Sequence, residues 1–269
     1  MTITTTISRA SALVSAGTVN NPFVTGAIDT GTASTTVGTQ VLAAANAVSG
    51  STYDPWVVTP ATGAATWQYV FDAAQVVSFI GIAAHNVTSA VTVAYSTNSG
   101  GAWTDVGTIT PTDDTAMGFR FDPVSADYWR VSIAGASGDQ SIGVIWIGSE
   151  IIIPQRIYQG YTPILTPTIV DLNTNVTEGA QLVSTAYIER GSNIAAQFDH
   201  IPDAFIRSAT WLAFQRRWNR GEGAFWAWRP GKYGDLHYVW RGAGSIVQPT
   251  NSGPRALMSF GMQGRAYHV

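Results

Sequence analysis

Few side chains in this sequence are of kinds that make or break bonds. There is no cysteine, which excludes thiolate nucleophiles, thiolate metal sites and disulfides. The four histidines, His85, His200, His237 and His268, form neither an HExxH run nor an i, i+4 pair, so zinc-binding spacing is missing. Asp113 and Asp114 are adjacent carboxylates, but a calcium ion takes about six to eight oxygen ligands and one dipeptide cannot supply them. A glycosidase would need two carboxyls brought together from distant positions, and only four glutamates are present: Glu150, Glu178, Glu189 and Glu222. Gly231–Lys232 is followed by Tyr233, where a phosphate loop wants Ser or Thr, and no GxSxG elbow occurs. The expectation is a protein that is not an enzyme, with no catalytic residue, no metal and no cofactor.

Binding chemistry is better represented. Residues 208–241 interleave Arg with Trp, a pattern that can stack on single-stranded nucleic acid. A chain of net charge −3 repels phosphate, however, so no nucleic acid contact is expected. The same stretch reads more simply as aromatic core with arginine rim. Its first part is an amphipathic helix, which Asp203 or Ser208 can cap and Gly221 can end in a left-handed residue. Phe205, Ala209, Leu212 and Ala213 recur at three- and four-residue steps as its apolar stripe, widened by Trp211, Phe214 and Trp218. Strands at 225–229 and 237–241 then flank a 230–235 turn, giving a hairpin that the helix must cover.

Only 12% of the residues are charged, about half the usual share, which suits a surface partly covered by other subunits. That charge is unevenly placed. Residues 1–189 carry four Arg against thirteen acids, or −9, and residues 190–269 carry ten Lys and Arg against four acids, or +6. The acidic part of one subunit would then meet the basic part of another. No run of about 18 apolar residues is present, so membrane insertion is not expected. The first residues lack a charged start followed by an apolar core, so no signal peptide is expected either.

Along the chain, residues 1–50 are rich in Thr, Ala and Ser and predict short edge strands or an arm. Tyr53 and Trp56 mark a turn with two exposed aromatics. Residues 51–150 show strands at 67–71, 76–84, 91–96, 103–106, 128–133 and 142–147 with turns between them and no helix, the order of a β-sandwich. Residues 151–269 resume strands at 182–188 and 193–198 before the helix and the aromatic hairpin, an α+β order.

The stretch Phe79–Ile80–Gly81–Ile82–Ala83–Ala84–His85–Asn86, with Thr66–Trp67 before it and Gly100–Gly101–Ala102–Trp103 and Tyr128–Trp129–Arg130–Val131 after it, resembles the galactose-binding-like (discoidin-type) jelly roll. The resemblance covers about eighty residues and implies an antiparallel sandwich of about eight strands. In that family the loops at one end often bind sugars. On that reading Trp56, His85, Asn86 and Trp103 are the carbohydrate-contact candidates, because exposed rings stack on sugars. The sequence shows no convincing sugar-binding constellation in those loops.

The last hundred or so residues resemble the tube-like domain of long-tailed phage tail proteins, especially distal tail and minor tail proteins. Tyr187–Ile188–Glu189–Arg190–Gly191, the Trp211 to Trp218 helix and Gly223–Ala224–Phe225–Trp226–Ala227–Trp228–Arg229 carry that likeness. It implies a structural protein of the virion tail tip, made in the host cytoplasm and assembling with itself as a ring between tube and hub proteins. Closed rings need two different patches on each subunit. Arg216, Arg217, Arg220 and Arg229, with Trp226 and Trp228, are the candidates for the basic patch. The alternative is a carbohydrate-binding module or adhesin acting on a cell-surface glycan through the jelly-roll loops.

Overall fold

A computed structural model describes residues 7–9, 20–157, 160–165, 168–189, 191–253 and 255–267. Arg190, His268 and most of the N-terminal stretch lie outside them. In chain order the first strands are β1 (Ile7–Arg9), β2 (Phe23–Thr25), β3 (Gly31–Val37), β4 (Thr39–Leu42), β5 (Trp56–Thr59), β6 (Ala64–His85), β7 (Ala90–Ser96), β8 (Thr104–Ile109), β9 (Met117–Ala134), β10 (Gln140–Gly148) and β11 (Glu150–Ile152). The second part holds β12 (Val170–Val176), β13 (Leu182–Glu189), β14 (Ser192–Pro202), α1 (Asp203–Ile206), α2 (Ala209–Asn219), β15 (Ala224–Ala227), β16 (His237–Arg241), β17 (Thr250–Asn251) and β18 (Leu257–Ala266). Among the described residues every pairing is antiparallel except β1 on β9.

The first unit is a jelly-roll sandwich with strand order β4-β5-β10-β6-β9-β7-β8, β3 lying along β6. The runs 67–71 and 76–84, which look like two strands in the sequence, are halves of one 22-residue strand, β6. Its ladder with β9 jumps from Val70↔Tyr128 to Gln75↔Ala126. There the exposed residues Asp72, Ala73 and Ala74 carry the strand over from one layer to the other. Trp56, Trp67 and Trp129 fill the core between the layers, each fully buried. Burial of an indole demands a partner for its N–H. Trp67 donates to Ala44 O at 2.9 Å and Trp56 to Thr35 Oγ1 at 2.8 Å.

The second unit is a seven-stranded sheet of order β11-β2-β15-β16-β18-β14, with β17 on β18. Phe23–Thr25 thus joins this sheet, between β11 and β15. Both faces of its central strands are buried, so alternate residues serve different cores. Val24, Ile151, Ala224, Trp226 and Val239 face the helix side; Phe23, Ile152, Phe225, Ala227 and Tyr238 face the first unit.

Helix α2 lies on the first of these faces. Ser208 caps it, its side chain accepting from Trp211 N at 3.2 Å. Gly221, at φ +88°, ends it in the left-handed conformation expected there. Its buried face differs from the predicted stripe. Trp211, Phe214 and Trp218 point into the core, whereas Ala209, Leu212 and Ala213 are exposed. The reason is area: three large aromatics bury far more apolar surface than one Leu and two Ala, and the helix rotates to favour them.

The two units meet through a closely packed seam. In the β6–β9 ladder Gly81 sits opposite Gly118. Phe225 packs over the first glycine and Leu236 over the second, so close that a Cβ at Gly81 would lie 2.8 Å from the Phe225 ring and one at Gly118 2.6 Å from Leu236 Cδ2. Arg120, 2% exposed, and Glu150, 8% exposed, form an ion pair at 2.7 Å across the same seam.

Strands β12 and β13 form a separate two-stranded ribbon. Its base is tied to the body where Thr168 and Ile169 N–H donate to Gly191 O at 3.1 and 3.0 Å.

Candidate functional site

Three of the four sugar-contact candidates lie close together, since Trp56 and His85 both pair with Ile142 of β10 and Asn86 follows His85, but they form no ligand site and Trp103 lies apart. Trp56 is 0% exposed and leaves no ring face for a ligand. His85 is buried as well, its Nε2–H donating to Thr115 O at 2.9 Å, and burial holds its imidazole below the ordinary value of 6.5. Asn86 is exposed, but its amide is used in the fold: Nδ2 donates to Asp139 O at 3.0 Å and Oδ1 accepts from Ser141 N at 2.7 Å. Trp103 is half-buried with the Arg130 guanidinium 4.4 Å from its ring centroid. It follows β7 whereas Asn86 precedes it, and seven strand residues separate the two by about 20 Å. Of the two aromatics expected to be exposed near position 55, Tyr53 is 90% exposed and Trp56 is not.

The basic candidates divide similarly. Trp226 belongs to the core, donating its indole N–H to the Tyr161 hydroxyl Oη at 3.0 Å, and burial pushes that hydroxyl up to about 12. Trp228 donates to Asp235 Oδ2 at 3.1 Å and stacks on Tyr233 at 5.3 Å, with Arg229 alongside both rings. Arg217 pairs with Glu222 at 2.6 Å. Arg216 and Arg220 are exposed. Asp113 serves a local turn, accepting from Thr115 N and Oγ1, and among the described residues no cluster of three potential metal ligands occurs.

A concave site does exist, at a place that single residues in the sequence do not announce. Loop 49–52 of the first unit faces the turn 220–223 after α2, and between them lies a groove of about 510 Å³. Ser49, Ser51, Trp146, Arg217, Glu222 and Tyr238 line it. Tyr238 spans the two units: its hydroxyl donates to Gly50 O at 2.7 Å, and burial pushes it up to about 12. A second space of about 230 Å³ lies against Gly50 and Tyr238, reaching Thr52 and Trp240. Gly223 permits this geometry, since any Cβ there would overlap the Tyr238 hydroxyl. The groove therefore presents a carboxylate, a guanidinium and hydroxyls; the exposed Tyr53 follows Thr52 in the chain but lines neither space. Glu222 stands out in the sequence only as one of four glutamates, and nothing there links it to residues 49–52.

No family model matches the chain, and no curated protein matches it. Solved structures give partial likenesses. A chitosan-binding module 1 from the chitosanase/glucanase of Paenibacillus sp. IK-5 is 20% identical, over 46% of this chain and 99% of that one, with a TM-score of 0.41. The family 32 carbohydrate-binding module of Clostridium perfringens NanJ, in complex with galactose, is 22% identical over 44% and 92%, with a TM-score of 0.38. A Ruminococcus gnavus GH29 fucosidase in complex with fucose is 10% identical, with a TM-score of 0.40; the likeness covers 45% of this chain and only 25% of the fucosidase. These likenesses take in less than half of the chain.

Proposed function

We propose that the chain works by binding rather than catalysis, and that it takes a carbohydrate in the groove between jelly-roll loop 49–55 and the turn after α2. What supports this is the donor set of that groove, with Arg217 and Glu222 side by side and hydroxyls of Ser49 and Ser51 near them. Neighbouring sugar hydroxyls both donate and accept, which a paired guanidinium and carboxylate can match. The apolar face of a pyranose needs a ring, and Tyr53 has one uncovered. A glycan array screened with the intact protein identifies the ligand, and titration calorimetry then compares variants. Glu222→Gln and Tyr53→Ala should each weaken binding about tenfold, or ~1.4 kcal/mol, whereas Trp103→Ala should not. Equal affinity in the first two variants, or no glycan bound at all, removes the reading.

A second reading is a structural subunit of a long-tailed phage tail tip, a ring in the virion between tube and hub proteins. Two features favour assembly: the uneven charge of the chain, and the β12–β13 ribbon, whose large apolar side chains are exposed. Rings of uniform size in electron micrographs of the purified protein are the expected result. A particle that stays monomeric at every salt concentration would exclude it.

A further inference from the structure

The groove does not end at Tyr238. Tyr238 and Trp240 lie two residues apart in β16 and so share one face of the sheet, the face that meets the first unit. The smaller space of about 230 Å³ already reaches Trp240. Strand register carries the same face further: Trp240 is paired with Arg265 of β18, and Arg265 with Asn193 of β14. Opposite residues of antiparallel strands point to one side, so these three form a row running outward from the groove. Past the half-buried Trp240 the cover ends, and Arg265, Gln263, Asn193 and Ala195 are all exposed.

A trough of about 680 Å³ lies on that exposed part, bordered by the turn 242–245. Its lining offers hydrogen-bond donors and no acid: the Arg265 guanidinium, the side-chain amides of Asn193 and Gln263, and the N–H groups of Ala243 and Gly244, which meet no backbone carbonyl. Among the described residues Arg265 forms no ion pair. A guanidinium flanked by amide donors suits an oxyanion, which it can hold by parallel hydrogen bonds. The wider field has the same sign, since residues 190–269 carry ten Lys and Arg against four acids, or +6.

We infer that the carbohydrate groove continues across Trp240 into this trough and takes an acidic oligosaccharide. One sugar lies at Arg217 and Glu222, and the carboxylate or sulfate of a later sugar lies on Arg265. The step from Tyr238 to Arg265 is two residues along β16 and one strand across, about 8 Å. That is longer than a single pyranose ring, so a monosaccharide cannot fill both ends. Trp240, half-buried between the two spaces, supplies the apolar surface over which the chain passes. This inference rests on the carbohydrate reading of the groove and adds to it the length and charge of the ligand.

The test probes an array of neutral, uronic, sialylated and sulfated glycans, from monosaccharides to long oligomers, with the full chain and its Arg265→Gln and Glu222→Gln variants. Arg265 is exposed, so the melting temperature of Arg265→Gln should match the wild type. The wild type should favour acid-bearing oligosaccharides over neutral ones of the same length. Arg265→Gln should weaken the acid-bearing oligosaccharides about tenfold and leave monosaccharides and neutral oligosaccharides unchanged, whereas Glu222→Gln should weaken every class. Loss confined to uronic and sialylated glycans assigns a carboxylate to Arg265, and loss confined to sulfated ones assigns a sulfate. If Arg265→Gln binds acid-bearing glycans as tightly as the wild type while Glu222→Gln does not, the extension is wrong and the groove stands. No binding, or binding indifferent to Glu222→Gln, overturns both.

Discussion

Replacing Gly81 by Ala tests whether the seam between the two units is as tight as its geometry indicates. The new Cβ would lie 2.8, 2.8 and 2.9 Å from three carbons of the Phe225 ring, where ordinary contact begins at 3.4 Å. The ring must therefore retreat by at least about 0.6 Å. It has little room to do so, because Tyr238 and Phe79 lie 5.2 and 6.0 Å from its centroid and its own backbone N–H donates to Thr25 Oγ1 at 2.8 Å. Overpacking of this kind costs about 1–3 kcal/mol. Against it stands the reduced freedom of the unfolded chain, which favours Ala over Gly by about 0.4–1 kcal/mol. The clash wins, and Gly81→Ala should destabilise by roughly 1–2 kcal/mol. Phe225→Ala, which empties the same site, should cost about 3–5 kcal/mol. In the double variant the new methyl partly fills the vacated space, so its cost should fall short of the sum by at least about 0.5 kcal/mol. Urea unfolding followed by tryptophan fluorescence and circular dichroism measures all three. A Gly81→Ala protein as stable as the wild type, or strict additivity in the pair, would refute the close approach.

His85 should make stability depend on pH. Burial holds its imidazole below 6.5, so as pH falls through 6.5 the unfolded chain takes up the proton first and the folded state loses stability from there downward. In His85→Gln, urea midpoints between about pH 5 and 8 should show a shallower fall; parallel curves would mean that the imidazole is not held neutral. Ser208→Ala should cost about 1 kcal/mol by removing the cap on α2, and an unchanged melting temperature would show that the helix is held by its aromatic face alone.

Local chemistry in the sequence was a good guide to local structure. The Ser208 cap, the Gly221 terminator and the aromatic hairpin all follow from residue types at fixed offsets, and the structure has each of them. Facing direction was harder. The helix period admitted two neighbouring stripes, and only the sheet beneath decides that Trp218 goes in and Leu212 stays out. Likewise Trp56 looked like a turn aromatic beside Tyr53, but pairing of β5 with β10 draws it into the core. The groove was least legible, because its walls come from segments far apart in the chain: Ser49 and Ser51 at one side, Arg217 and Glu222 at the other. No local pattern encodes such a meeting.

The pairing of β2 with β11 also bears on the history and manufacture of the chain. Thr25 and Glu150 are direct partners across two hydrogen-bonded neighbours, so everything between them leaves and returns through one doorway. A module plugged in this way cannot be excised without rebuilding its host sheet, because Phe23, Phe225, Ala227 and Tyr238 would lose the cover that Phe79, Ala83 and Trp146 give them. On the ribosome the order is also constrained: β2 emerges early and must wait, unpaired, until the whole insert has been made and β11 follows it out.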